Sequence, residues 1–330
     1  MDLREEIQRN AVADEVQALI AVVIPVLKGT LFAIKREAVE DAGGIERLLL
    51  RQLPRTYRAG DGDCGISFEY AVHDAVVHGN ADVVNRIQDA LQRHCRIRQG
   101  DPSSLLFGVE KTGALQLIDS VKENLTSESR LLSGSKGQPV KLKKHIDSVA
   151  AAFRRRSVRE TLPSCISGLW KADLFLGSTE TDQWVGTTVK INPRSLEGAP
   201  GLRVAVVPSQ EGRSDQIRRD NGKNLVVVPL PYDGAFMEVF YQGWQIVQQF
   251  IAADAQLPKE VALPRAADRQ VCRMLVERRD FPVVDVLAAL APLAQPELLE
   301  TQEEEASVDY RRGESSQTNI LVAPQASSQF

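Results

Sequence analysis

Two runs, Leu202-Arg203-Val204-Ala205-Val206-Val207 and Leu225-Val226-Val227-Val228, constrain this chain most. They are almost unbrokenly apolar and β-branched, and strands of that kind need cover on both faces. Residues 234 to 253 then place Phe236, Val239, Phe240, Trp244, Val247 and Phe250 at helical spacing. Upstream, residues 168–177 alternate, 178–183 form a polar turn, and 184–191 are again β-rich. That spacing predicts an antiparallel hairpin. Hairpin, buried strands and helix together predict an α/β (α+β) fold, a mixed sheet core flanked by helices.

The rest of the chain reads as helical. Val16, Leu19, Ile20 and Val23 recur at helical spacing, Pro25 predicts a kink or break, and Pro54 closes the segment. Residues 66 to about 91 read as one helix, with Ser67 as N-cap and Tyr70 at the third position. Residues 99 to 165 read as mostly helical, broken at Asp101-Pro102 and over 132–139. Beyond 257 come scattered prolines and one or two short helices. After Pro296 the chain is acidic (Glu303, Glu304, Glu305), then Ser/Gln-rich, and is expected to stay disordered or to order on a partner. The expected organisation is a helical N-terminal region (1–58) and a core (59–256) with a helical insertion at about 95–163. A C-terminal helical extension (257–296) and the tail (297–330) complete it.

Composition removes several function classes. Aromatics make up only 5% of residues, which argues against a base-stacking platform for single strands. The net charge is −4, so nucleic-acid binding requires a local basic patch. Cys64, Cys95, Cys165 and Cys272 are dispersed, which excludes zinc-ribbon and CxxC spacing and predicts reduced thiols in a cytoplasmic protein. The first ten residues lack a signal-peptide layout, and the apolar run 18–27 is too short to span a bilayer, so no membrane association is expected. No P-loop, GxGxxG or GxSxG motif occurs. His73-Asp74 has no upstream histidine to complete an HD phosphohydrolase pair. The segment 69–80 is worded like the first GHKL ATPase motif, but its glutamate is out of register and no DxGxG follows.

What remains is Glu69, Asp173 and Lys190. Paired strands bring an acid and a lysine to one end of a sheet, and Glu69 lies on the helix after the glycine loop. Two carboxylates hold Mg²⁺ or Mn²⁺ through oxygen and leave positions for water and phosphate. A lysine beside them orients a nucleophile or stabilises developing negative charge.

This arrangement resembles the PD-(D/E)XK nuclease superfamily, the fold of many restriction endonucleases. The resemblance spans roughly residues 60 to 255. By position, Asp173 matches the first acid, Lys190 the lysine, and Glu69, in Gly65-Ile66-Ser67-Phe68-Glu69, the helical glutamate. The triplet departs from the family: it reads Thr188-Val189-Lys190, with threonine where an acid is usual. A hydroxyl is a weaker metal ligand, so Glu69 compensates, or the Val189 carbonyl contributes, or the site is degenerate. The resemblance implies a restriction-endonuclease-like core and a Mg²⁺-dependent endonuclease acting on DNA, in defence against foreign DNA or in repair. Glu69 and Asp173 would hold the metal, Lys190 would position the water, and Thr188 would contact it or the metal. A nuclease of this kind needs restraint, which implies a regulatory protein partner or homo-oligomer. The competing expectation is a non-catalytic nucleic-acid-binding or assembly subunit on a degenerate nuclease fold.

A basic cluster supplies the expected phosphate surface: Lys136, Lys141, Lys143, Lys144, Arg154, Arg155, Arg156 and Arg159. Arg213, Arg218, Arg219 and Lys223, between the two buried strands, are expected to add to it.

Overall fold

A computed structural model describes residues 13–34, 36–56, 63–98, 100–107, 121–132, 139–166, 169–257 and 262–294. The helices among them are α1 (Asp14–Phe32), α2 (Arg36–Asp41), α3 (Leu53–Thr56), α4 (Asp63–Val77), α5 (Ala81–Ala90), α6 (Ile146–Arg154), α7 (Ala235–Ala252), α8 (Ala266–Glu277) and α9 (Val283–Leu290). The strands are β1 (Ser103–Leu106), β2 (Arg130–Leu132), β3 (Pro139–Lys141), β4 (Leu174–Ser178), β5 (Gln183–Val189), β6 (Arg203–Pro208), β7 (Arg218–Asp220) and β8 (Leu225–Leu230). They join in one open mixed sheet, ordered β1-β4-β5-β6-β8-β7, with β2 and β3 attached beside β5.

The two apolar runs are β6 and β8, paired in parallel at the sheet centre and buried at every position. The hairpin is β4–β5, but β4 is shorter than the alternation implies. A single 3-10 turn, Leu169–Lys171, takes up the start of the alternating segment. Among its described residues the stretch 99–165 holds helical turns as expected, but it also contributes β1 against β4 and a small β2–β3 hairpin. These strands are only three or four residues long, and β1 pairs with residues 68 to 74 positions away. Local periodicity carries no trace of that partner.

Helix α1 is apolar around most of its circumference and runs unbroken through Pro25. It is long and apolar enough to cross a membrane by length and composition, and here it is a core helix packed on α4, α7 and α8. Pro54 does not end the N-terminal helices; it lies inside α3. The segment read as one helix from 66 is two. Gly79 takes φ +71°, a left-handed conformation natural to glycine, and the Asn80 side chain caps α5 by accepting from the Val83 N–H. Ser67 is no N-cap either: it lies within α4, and its Oγ donates to the Val26 carbonyl of α1.

That bond marks the closest approach of α1 and α4. A Cβ on Gly29 would stand 2.6 Å from Ser67 Cα. Lys28 and Asp74 add an ion pair at 2.9 Å between the same helices. This crossing sets the position of α4, and so of Glu69 two residues further on. Gly29→Val should force the backbones apart, costing about 1–3 kcal/mol. Thermal unfolding checks this; a wild-type midpoint would show that the crossing is slack.

One continuous core joins α1, α4, α5, α7, α8 and α9 to the first face of the sheet. Residue 49 even bridges to Pro282, with Val283 N–H donating to the Leu48 carbonyl at 2.8 Å. The N-terminal helices and the C-terminal extension thus share their core with the sheet. The second face is covered unevenly. Over β4 and β5 it carries a separate cluster with Phe107, Leu142, Ile146, Phe175 and Trp184. Over β6 and β8 only Ala205, Val207, Leu225 and Val227 pack together, under Leu196. Trp184 is a core anchor at 2% exposure, whereas Trp244 is half-buried at the rim of the main core.

Candidate active site

Asp173 sits immediately before β4 and Lys190 immediately after β5, so the hairpin brings them to one end. The Asp173 N–H donates to the Thr187 carbonyl at 2.8 Å, continuing the ladder by one residue. The Lys190 N–H donates to the Val206 carbonyl of β6 at 3.0 Å, which anchors the lysine backbone. Strand parity places Asp173, Thr188 and Lys190 on the second face. Glu69 reaches them over the sheet end from α4.

The lysine ammonium is the centre of the cluster. Lys190 Nζ lies 2.9 Å from Asp173 Oδ2 and 3.0 Å from Glu69 Oε1. One cation thus touches both carboxylates, which are close enough to share an ion. Asp173 Oδ2 also accepts from Thr188 Oγ1 at 3.1 Å and from the Val189 N–H at 2.9 Å. Among the described residues its other oxygen accepts no hydrogen bond. Thr188 therefore orients Asp173 by spending its hydroxyl proton there, while its oxygen keeps the lone pairs that the expected metal or water contact would use.

Burial works to lower the Lys190 pKa, but Asp173 and then Glu69 outweigh it, and the net shift is upward. The lysine is an ammonium at any physiological pH and cannot serve as a general base. Glu69 moves the other way: burial first, and the neighbouring Asp173 charge second, push its carboxyl up to about 7 against the partial opposition of Lys190. It is the member of the cluster that changes protonation near neutrality.

The sign of the pH effect follows. The folded-state pKa of Glu69 lies above the ordinary 4.5, so its contribution to stability is complete below 4.5 and is lost as pH rises to about 7. Glu69→Gln mimics the protonated form. It should leave stability unchanged near pH 4.5 and raise it above pH 7, by on the order of 2 kcal/mol. Urea melts at both pH values test this. A loss of stability at pH 8 would make Glu69 a structural ion-pair partner instead.

Sequence reading missed Arg203. It is 5% exposed, and in register it lies beside Gly186 of β5, whose lack of a side chain leaves room over the sheet. Burial pulls its guanidinium down to about 10, with Asp173 as the counteracting charge. A lone charge inside an otherwise apolar strand is the signal that marks it.

Other expected residues fare differently. His73 is held by Ser104, Nδ1 to Oγ at 2.9 Å, and burial pulls its pKa down to about 4. Cys95 and Cys272 are buried free thiols, while Cys64 and Cys165 are half-buried. Much of the basic cluster is committed to neighbours. Lys141 pairs with Glu128 at 2.9 Å, Lys143 Nζ donates to the Leu125 carbonyl, and Arg159 Nε donates to the Ala152 carbonyl. Lys144 and Arg155 are exposed. Lys136, the side chains of Arg154 and Arg156, and the tail from 297 lie outside the described residues. Of the expected phosphate contacts, Lys141, Lys143 and Arg159 thus hold local bonds, which a count of charges in sequence does not reveal.

Glu69 and Asp173 fit a hard divalent cation by their chemistry, two anionic oxygen donors with one acceptor oxygen of Asp173 uncommitted. They are a sparse set: among the described residues, no three His, Cys, Asp or Glu side chains converge to hold a metal. Mg²⁺ tolerates that, because water and substrate phosphate complete its shell. The chain matches no known protein-family model, no curated protein and no solved structure.

Proposed function

We propose that this protein is a Mg²⁺- or Mn²⁺-dependent endonuclease that hydrolyses phosphodiester bonds of DNA, on a core of the restriction-endonuclease-like kind. The observation that carries this reading is the single ammonium of Lys190 shared between Glu69 and Asp173 at the open end of the β4–β5 hairpin.

In this reading Asp173 and the ionised form of Glu69 hold the metal, which when bound neutralises phosphoryl charge and acidifies a coordinated water. Asp173 is kept in place by Thr188 and by the Val189 N–H, so one of its oxygens is fixed and the other presented. Lys190 remains charged, donates to the attacking water, and stabilises the negative charge that develops on the phosphoryl oxygens. Metal entry requires Glu69 to lose its proton, so affinity should rise with pH through about 7. A role in defence or repair, a cytoplasmic location, and control by a partner or a second copy accompany this reading as proposals.

A second reading, a non-catalytic binding or assembly subunit, is favoured by one observation: the acid of the usual triplet is replaced by Thr188, and that threonine is tied to Asp173. Incubation of plasmid and linear DNA with Mg²⁺ or Mn²⁺ separates the two. The nuclease reading expects cutting that chelation stops. Intact DNA in both metals, with salt-sensitive binding retained, would favour the subunit.

A further inference from the structure

Among the described residues no helix covers the second face of the sheet over β6, β8 and β7, and an open cleft of about 170 Å³ lies there. Three separate segments contribute cations to it: Arg194 from the turn after β5, Arg213 from the loop after β6, and Arg218 and Lys223 from β7 and the turn beyond it. Register explains the selection. Arg218 pairs with Val227 and Asp220 with Leu225, so these side chains share the cleft face. Arg219 pairs with Val226 and faces the other way, toward Cys95. The register thus brings Arg213, Arg218 and Lys223 of this loop to the cleft and turns Arg219 away from it.

The charge in the cleft is largely unneutralised. Four cations face one carboxylate, a formal charge of +3. Asp220 Oδ1 accepts the Lys223 backbone N–H at 3.1 Å. Among the described residues no ion pair engages Arg194, Arg213 or Arg218. Lys223 Nζ donates to the Leu196 carbonyl at 3.2 Å, which fixes the lip and leaves two ammonium protons. The floor is apolar, from Leu225 and Val227. Spread over three segments around an open cleft, these cations suit successive phosphates of one chain better than a single enclosed anion.

Location selects the ligand. Arg194 follows Lys190 by four residues, a span of at most about 14 Å. One strand of duplex carries a phosphate about every 3.4 Å, so that distance covers roughly four nucleotides. We propose that this cleft grips the sugar-phosphate backbone of nucleic acid two to four nucleotides from the bond held at Lys190. The proposal rests on the nuclease reading for the register of cutting, but not for binding. It makes the substrate a polynucleotide: a small diester reaches Lys190 without using the cleft.

The test uses the double variant Arg194→Ala/Arg218→Ala, both positions exposed, beside the exposed pair Arg47→Ala/Arg273→Ala as control. Binding of a fluorescent duplex of about 30 base pairs is measured with Ca²⁺ between about 50 and 300 mM salt. Hydrolysis of bis(p-nitrophenyl) phosphate is followed with Mn²⁺. The cleft variant should lose tenfold or more in affinity, and its log–log salt slope should flatten by about 0.9 for each contact removed. Its hydrolysis of the small diester should match wild type. Unchanged affinity and slope would overturn the proposal, as would a control variant that loses as much as the cleft variant. Wild type that binds an acidic peptide but no duplex would overturn it too. If neither protein hydrolyses anything while the binding losses appear, the cleft stands and the nuclease reading falls.

Discussion

Lys190→Ala is expected to lower metal-dependent DNA cleavage by at least about 10²- to 10³-fold, the scale of removing one preorganised charge stabiliser. Among the described residues its ammonium is the one group that hydrogen-bonds both Glu69 and Asp173. Its backbone is fixed through Val206, so the truncation should not move the strand. Duplex affinity measured in Ca²⁺ should change little. Stability should fall modestly and with a pH signature. Without the lysine, Glu69 loses the two influences that lower its pKa and stays protonated further above about 7. The variant should therefore melt closest to wild type at acidic pH and diverge as pH rises. Cleavage at the wild-type rate in this variant would remove the nuclease reading.

Asp173→Ala should have the largest effect on stability of any change at the site, about 3 kcal/mol, together with loss of metal-dependent cleavage. Oδ2 of Asp173 receives three hydrogen bonds, from Thr188, from the Val189 N–H and from Lys190. Truncation strands a buried hydroxyl and a backbone donor together with a charge. Asp173→Asn keeps an acceptor for those donors, so it should recover much of the stability while remaining inactive. Urea unfolding and cleavage assays on both variants check this. An alanine variant as stable as wild type would mean that the hydrogen-bond hub contributes nothing, and an active asparagine variant would mean that the carboxylate charge is dispensable. Stability loss at Asp173 does not distinguish a catalytic from a structural role, because the residue serves both. Glu69 does distinguish them, since its charged form costs stability.

The central strands were legible because burial on both faces leaves a direct mark, an apolar run such as Leu225 to Val228. The acid, the glutamate and the lysine could be paired across more than a hundred residues because a hairpin and a preceding helix limit where their ends lie. What was not legible depended on distant partners. Ser67 looks like a cap, yet its hydroxyl belongs to Val26 on another helix. The strands at 103–106 and 130–141 are too short for periodicity, and their partners come much later or across a loop. Lys141 and Lys143 count as free charges in sequence, but Glu128 and the Leu125 carbonyl hold them. The cleft cations are scattered from 194 to 223 and converge only through the β7–β8 register.

Helix α1 has a consequence for biosynthesis. Among the described residues it is the one long helix apolar enough to pass for a membrane span, and it is made before α7 and α8, on which it packs and which end at residue 277. At about 5–20 residues per second, its last partners leave the ribosome roughly 10–50 s after it does. For that interval the nascent chain carries a hydrophobic helix whose α7 and α8 partners are missing and which α4 covers on one side alone. Its yield in a cell should therefore depend on chaperones that shield early segments more than on the stability of the finished fold.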